Sequence, residues 1–158
     1  MSLLEVKDLA VSFVTRMGTN KAVDGISFTV DTGKITAIIG ESGSGKSVAC
    51  YSMLGLVPMP PGRIDGGTAL FEGQDLLQMS EAQLREIRGR DVAMIFQDPM
   101  TSLNPTMNIG NQIAETLIVH RGYSKRKAFN RAIELLDLTK IPEPEKRAKQ
   151  YPFEFSVN

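Results

Sequence analysis

Apolar and polar positions alternate loosely through the first 30 residues, and this pattern predicts paired β-strands. The alternation runs over residues 3–14 and again over residues 23–30, with the period of two that a half-buried strand requires. Between the two runs lies the turn-prone sequence Met17-Gly18-Thr19-Asn20. A short turn between two alternating runs favours an antiparallel pair.

A different pattern follows at residues 35–39, where Ile-Thr-Ala-Ile-Ile is almost continuously apolar. Such a run, rich in β-branched side chains, is typical of a strand that is buried on both faces. Three glycines then fall within residues 40–45, and residues 46–56 have the length and composition of a helix. The proline-rich segment 58–62 predicts the end of that helix.

The middle of the chain alternates between strand and helix patterns. Residues 68–71 predict a short strand, residues 73–75 a turn, and Ser80 the start of a helix that ends near Gly89. Gln83 stands three residues after Ser80, which is the spacing of a capping box. Residues 92–96 form a second apolar run and predict another buried strand, which ends at Gln97 because Pro99 follows closely.

After residue 107 the apolar period becomes helical. A helix is predicted over about residues 109–120, and Phe129, Ala132, Ile133 and Leu136 then fall at i, i+3, i+4 and i+7 along one face of another. We therefore predict an α/β fold in two parts. Residues 1–106 carry the strands, and residues 107–158 form a small α-helical subdomain.

Composition excludes several classes of protein. The chain has 158 residues, of which 42% are hydrophobic and 23% charged, so it can bury a core. Lys plus Arg and Asp plus Glu both number 18, and this balance argues against a nucleic-acid partner. The basic groups at 125–127 and 146–147 are interpreted as solvated helix faces.

Location is predicted from what the sequence contains. Cys50 is the only cysteine, which fits a reducing compartment. No run approaches the roughly 18 apolar residues of a membrane-spanning helix, and the first residues do not have the pattern of a secretory signal. The cytoplasm is therefore the expected compartment.

The glycine-rich segment matches the phosphate-loop pattern G-x-x-x-x-G-K-S, between a predicted strand and a predicted helix. Wrapping a phosphate requires several backbone N–H groups to point inward, and glycine permits the necessary dihedral angles without a Cβ in the way of the anion. Lys46 is placed to reach β- and γ-phosphate oxygens, and the Ser47 hydroxyl to ligate Mg²⁺. The candidate ligand-binding residues are Gly40, Glu41, Ser42, Gly43, Ser44, Gly45, Lys46 and Ser47.

Two other interpretations of this segment are disfavoured. A glycine-rich turn with a solvated lysine is disfavoured because the motif, the strand and the helix coincide. A dinucleotide-binding G-x-G-x-x-G that starts at Gly43 needs glycine at position 48, where the chain has Val48.

Gln97 is the second candidate because it ends a predicted strand. If that strand lies beside residues 35–39 in a parallel sheet, both strand ends open on the edge where such folds bind ligands. Gln97 would then ligate Mg²⁺ or hold a water near the γ-phosphate. By spacing alone it also fits an ordinary loop residue.

Four segments together resemble the ATP-binding subunits of ABC transporters, most closely those of the oligopeptide, dipeptide and nickel importer group. They are residues 40–47, the stretch 94–105 (Met-Ile-Phe-Gln-Asp-Pro-Met-Thr-Ser-Leu-Asn-Pro), and the opening segments 9–13 and 22–28. The resemblance runs almost from end to end of the chain. The segment around Gln97 is the most specific part of it.

The resemblance implies a P-loop NTPase-like core, here partial, with an antiparallel β region at its start. Residues 40–47 would be the Walker A loop, and Gln97 the Q-loop glutamine that contacts Mg²⁺ and couples nucleotide state to the membrane domains. Phe13 stands where the family places an aromatic that stacks on adenine, and it also fits the core of a strand. The implied cofactors are ATP and Mg²⁺. The implied partners are transporter membrane subunits and a second ATP-binding subunit at the inner face of the membrane.

The end of the sequence departs from the family pattern. Residues 151–156 resemble the approach to the signature motif, but Val157-Asn158 follow in place of two glycines. The resemblance also implies an apolar strand ending in Asp-Glu, which holds Mg²⁺ and supplies the catalytic base, and a later switch histidine. The sequence has no such Asp-Glu run, and its only histidine, His120, is interpreted as a helix-end residue. We therefore expect nucleotide binding, weak if any, without hydrolysis. The family's central parallel sheet draws strands from beyond these residues, so strands 35–39 and 92–96 would lose neighbours. We expect such a chain to self-associate, to be partly disordered or to remodel its sheet edges.

The function expected from the resemblance is the ATP-binding subunit of an importer for peptides or similar small solutes, of which this chain carries the N-terminal part. The alternative is a non-catalytic nucleotide-binding or regulatory module. A soluble P-loop kinase or GTPase is disfavoured, because the sequence has no guanine-reading Asn-Lys-x-Asp segment and because the Gln97 segment points elsewhere.

Overall fold

The computed structural model describes residues 2–96 and 102–155. The chain forms two compact units that divide between Arg85 and Glu86, and each unit is described by itself. The functional division after Thr106 stays a prediction.

The first unit is built on a four-stranded antiparallel sheet with the order β2-β1-β3-β4. The strands are β1 (Ser2–Thr15), β2 (Gly18–Asp31), β3 (Gly62–Phe71) and β4 (Gln74–Asp75). The central strand β1 supplies much of the buried core through Val6, Leu9 and Val11. The predicted antiparallel pair of the first 30 residues is confirmed, with Val6 opposite Phe28 and Val14 opposite Thr19.

Helix α1 (Lys46–Met53) belongs to this unit, and helix α2 (Glu81–Ile87) crosses the boundary between the two units. Helix α1 buries Ala49, Ser52 and Met53, and it ends three residues before its predicted limit at residue 56. Helix α2 begins after Ser80, whose backbone N–H donates to Gln83 Oε1 at 2.9 Å while its hydroxyl accepts from the Gln83 N–H at 3.4 Å. The predicted capping box is confirmed.

The second unit contains α3 (Ile109–Arg121), α4 (Lys125–Leu138) and α5 (Pro144–Arg147). The side chains of Asn108 and Ser124 cap α3 and α4 by accepting from Asn111 N–H and Lys127 N–H. The predicted stripe on α4 faces the core, because Ala132 and Leu136 are buried and Phe129 and Ile133 pack against the cluster that contains Leu136. The two predicted helices of this region are confirmed.

The two strands predicted from continuous apolar runs are wrong. Residues 35–39 and 93–96 form neither strand nor helix, and Val92 makes one isolated bridge with Arg88. Ile35, Ile39 and Ile95 are 100%, 92% and 97% exposed. A strand needs a neighbour to satisfy its backbone groups, and the four described strands pair only with one another. The parallel sheet expected from these runs is therefore absent from the described residues.

The third prediction to be revised concerns β3. This strand starts at Gly62, six residues before the predicted start at residue 68. Gly62 pairs with Phe13 and Gly66 with Ala10. Backbone pairing with β1 therefore extends β3 through a glycine-containing segment whose side-chain pattern does not predict a strand. The predicted turn at 73–75 includes the two residues of β4. The fold class itself, an antiparallel β region with a partial α/β core and a small helical unit, is confirmed.

The longest helix in the described part of the chain, α4, has 14 residues. None of the described helices combines the length and the apolar character needed to cross a bilayer.

Candidate functional site

Residues 40–47 lead directly into the N-terminus of α1. Gly45 immediately precedes the helix in the left-handed conformation, with φ 88°, and its carbonyl accepts from the Ala49 N–H at 2.9 Å. No side chain caps the first turn of α1. The first N–H groups of a helix lack partners within the helix, and the helix dipole makes this end positive. The local backbone therefore suits an anion.

Lys46 turns back over the loop that precedes it. Its ammonium group donates to the carbonyl oxygens of Gly40 at 2.8 Å and Glu41 at 2.6 Å, and to Ser44 Oγ at 3.2 Å. The loop is also closed by a turn in which the Ser44 N–H donates to the Glu41 carbonyl at 3.2 Å. The positive charge thus lies against the loop backbone, and its role toward a phosphate stays a prediction.

Gly45 leaves no room for a side chain, whereas the space beside Gly40 is limited by the movable Ser44 hydroxyl. A Cβ on Gly45 would lie 2.1 Å from the Ala22 carbonyl oxygen, and a Cβ on Gly40 would lie 2.8 Å from Ser44 Oγ. Gly43 has a φ of 80° and open space around its Cα. Glu41 and Ser42 are exposed. Glycine at positions 40, 43 and 45 therefore keeps part of the loop backbone free of Cβ atoms, which favours close approach of a polyphosphate.

The base of the loop rests on an irregularity in β2. Val11 pairs with Val23 and Ser12 pairs with Lys21, so Ala22 is an extra residue in the ladder, the arrangement of a β-bulge. The Ala22 carbonyl is the group that approaches Gly45. The bulge thus positions the end of the loop against the sheet.

Of the two predicted metal ligands, Ser47 lies within the described residues and Gln97 does not. Ser47, the second residue of α1, is exposed, and its hydroxyl oxygen is a ligand of the hard type that Mg²⁺ prefers. Gln97 lies outside the described residues. Among residues 2–96 and 102–155, no group of three or more His, Cys, Asp or Glu side chains could hold a metal. The Ser47 hydroxyl is thus the one predicted metal ligand whose position the structure describes.

Phe13 is half-buried near the end of β1, between Asn20 on β2 and Gly62 on β3. One edge of its ring lies over Gly62, whose Cβ position is 3.6 Å from Phe13 Cε1. Asn20 precedes the bulged Ala22 by two residues, so strand spacings put the Phe13 backbone on the order of 8 Å from the residue that supports Gly45. Both interpretations of Phe13, as an aromatic available to a base and as part of the sheet, fit this position.

A polar cluster beside Phe13 was missed in the sequence. Ser12 is 1% exposed, and its hydroxyl donates to Asp65 Oδ2, while Arg63 Nε donates to Asp65 Oδ1 at 2.6 Å. The hydrogen bond from Ser12 and then that from Arg63 hold the pKa of Asp65 below its ordinary value. The spacing of Arg63 and Asp65, two residues apart on one strand, was the available signal.

His120 and Cys50 each lie against other parts of the chain. His120 lies near the end of α3, as expected, with its imidazole against Gly89, whose Cβ position is 3.0 Å from His120 Nε2. Cys50 is half-buried on α1, and burial raises the pKa of its thiol.

Solved structures place this fold in a known class. A bacterial ABC transporter cassette, MJ0796, solved as a dimer, matches with a TM-score of 0.81 and 20% identity over 97% of this chain and 63% of that one. A post-hydrolysis state of the same ATP-binding cassette, bound to ADP and Pi, matches with a TM-score of 0.82, 21% identity and the same coverage. At these identities the likeness shows the fold alone.

The family follows from sequence. The profile of the ABC transporter family matches residues 23–157, and the chain belongs to this family. The oligopeptide transport ATP-binding protein OppD of Bacillus subtilis is 55% identical over 98% of this chain and 43% of its own length. The dipeptide transport ATP-binding protein DppD of the same organism is 47% identical over 98% of this chain and 46% of its own length. The chain thus spans less than half the length of these curated relatives.

Proposed function

We propose that this chain binds ATP with Mg²⁺ at residues 40–47, and that it does so as part of the ATP-binding subunit of an ABC importer for peptides. The observation that carries the proposal is the loop geometry. A loop with glycine at positions 40, 43 and 45, an uncapped helix N-terminus and the Lys46 ammonium group meet at one place. The peptide substrate class is supported by relatives named for oligopeptide and dipeptide transport.

Each residue has a defined task in this proposal. The backbone N–H groups of the loop and of the first turn of α1 bind phosphate oxygens, and Lys46 neutralises charge on the β- and γ-phosphates. Ser47 and Gln97 hold the metal ion, which offsets the negative charge of the phosphates when bound. Phe13 stacks on adenine, because any base offers a π-face to an aromatic ring.

The partners and the location follow from the same proposal. The chain would work with transporter membrane subunits and a second ATP-binding subunit, as a peripheral component on the inner face of the membrane.

The first test is titration of the 158-residue chain with MgATP by calorimetry. Lys46→Ala should weaken binding at least about tenfold, because it removes a charged hydrogen-bond donor from the phosphates. Lys34→Ala is the control, since Lys34 is an exposed lysine on the same unit. Equal affinities for the Lys46→Ala variant and the control would contradict the proposal.

Ser47 is tested by removing the metal. Ser47→Ala should weaken binding of MgATP but leave binding of ATP in excess EDTA close to that of the unsubstituted chain, because the hydroxyl acts on the ion. An equal loss under both conditions would show that Ser47 does not act through Mg²⁺.

Phe13 is tested by comparing ATP with inorganic tripolyphosphate, which has no base. If Phe13 stacks on adenine, Phe13→Ala weakens ATP binding alone, by about 1–3 kcal/mol, and Phe13→Tyr restores it. If Phe13 instead packs as part of the sheet, Phe13→Ala lowers the melting temperature and weakens the binding of both ligands.

A further inference from the structure

All three hydrogen-bond donors of the Lys46 ammonium group are used inside its own loop. An ammonium group has three N–H donors, and here they reach Gly40 O, Glu41 O and Ser44 Oγ. A phosphate oxygen that accepts from Lys46 must therefore take the place of one of these acceptors. The proposed function requires such an exchange.

Ser44 is the acceptor that can leave. The carbonyls of Gly40 and Glu41 lie at 2.8 Å and 2.6 Å and are fixed in the backbone, whereas Ser44 Oγ lies at 3.2 Å on an exposed side chain. Rotation about χ1 moves a serine hydroxyl between staggered positions without moving the backbone. The longest of the three contacts is thus also the one that can be broken without reshaping the loop.

The position of Ser44 Oγ shows that the hydroxyl is folded across the loop. It lies 2.8 Å from the point where a Cβ on Gly40 would stand, while the Ser44 N–H closes the turn onto Glu41. The hydroxyl therefore occupies the opening between the first residue of the loop and the lysine.

We propose that the Ser44 hydroxyl is an internal placeholder for a phosphate oxygen on Lys46. It holds the ammonium group in place when no polyphosphate is bound, and it must be displaced when one enters. Ser44 is a positioning residue that acts through Lys46 and lowers the affinity of the loop for polyphosphate. This inference rests on the proposed function, because it assigns the displacing ligand to the same loop.

Binding of MgATP and of inorganic tripolyphosphate to the 158-residue chain measures the effect. Ser44→Ala should tighten both about two- to tenfold, the range of one hydrogen bond that no longer has to be broken. The control Ser2→Ala on β1, outside the loop, should bind like the unsubstituted chain. Unchanged or weaker binding by Ser44→Ala would overturn the inference.

Amine labelling without any nucleotide supplies a separate readout. Acetylation rates measured by mass spectrometry should rise at Lys46 in Ser44→Ala relative to Lys34, an exposed lysine of the same unit. A serine that only shapes the loop would leave this ratio unchanged, and that result would overturn the inference. If no variant binds polyphosphate but the ratio rises, the proposed function fails while the Ser44–Lys46 contact stands.

Discussion

The carbonyl oxygen of Ala22 lies 2.1 Å from the point where a side chain on Gly45 would begin. Ala22 is the extra residue of a bulge in β2, and Gly45 is the left-handed residue that opens α1. The bulge turns a backbone carbonyl toward the loop, and only glycine lets the loop come this close. The sheet and the phosphate-type loop are thus joined by two backbones, without an intervening side chain.

Exchange of glycine for alanine at two positions of the loop separates this contact from backbone strain. Gly43→Ala should cost about 1–2 kcal/mol of unfolding free energy, because its φ of 80° is left-handed but its surroundings are open. Gly45→Ala should cost about 2–5 kcal/mol, because the same strain is joined by a clash with the Ala22 carbonyl. Urea unfolding of both variants measures the difference. Equal costs would mean that the loop does not rest on the bulge.

The sequence pattern predicted the secondary structure correctly wherever a segment satisfies its own hydrogen bonds or pairs with a segment close to it in sequence. The hairpin of β1 and β2 and the capped helix after Ser80 are of this kind. The apolar runs at 35–39 and 92–96 needed partners that are distant in sequence, and composition does not reveal whether such partners exist. The first residues of β3 were not predicted, for the opposite reason. Gly62, Gly66 and Gly67 pair or pack through their backbone, and glycine adds nothing to a side-chain pattern.

The candidate site was predicted in outline. Glycine spacing and the lysine locate the loop, since their chemistry depends on order along the chain. The bulge at Ala22 and the bond from Ser12 to Asp65 depend on strand register, which the sequence does not state.

Asp65 should make stability depend on pH. Its carboxyl has a lowered pKa in the folded chain because Ser12 and Arg63 bond to the ionised form. A lowered pKa stabilises the fold above the ordinary carboxyl pKa of about 4, and this stabilisation is lost as the pH falls through the lowered value.

The measurement is unfolding of the chain and of Asp65→Asn at pH 7 and near pH 3. The variant should be less stable at pH 7, and the gap should narrow at the lower pH. Glu115→Gln, an exposed carboxylate on α3, controls for the loss of a negative charge. A gap between the chain and Asp65→Asn that is equal at both pH values would contradict the role of the cluster.

Helix α4 carries its charges in the order that the helix dipole disfavours. Its first turn contains Lys125, Arg126 and Lys127 with no acidic residue, and its last turn contains no basic residue. Lys125→Glu should therefore stabilise the chain by about 0.5–1 kcal/mol at low salt, with a smaller gain at 1 M salt. Thermal unfolding at both salt concentrations tests this. Lys34→Glu makes the same charge change outside any helix, so an equal gain in that variant would point to net charge instead.

The exposed run at residues 35–39 should make the chain self-associate. Ile35 and Ile39 are almost fully exposed, and the run contains no charge and no proline, the composition that favours intermolecular strand pairing. Light scattering after size exclusion should show a mass that rises with concentration, and Ile39→Lys should return the chain to a monomer. Val119→Lys, at an exposed apolar position on α3, adds the same charge and should leave the association intact, because a helix has no free strand edge. A monomer at every concentration, or equal dissociation by both variants, would show that this run does not drive assembly.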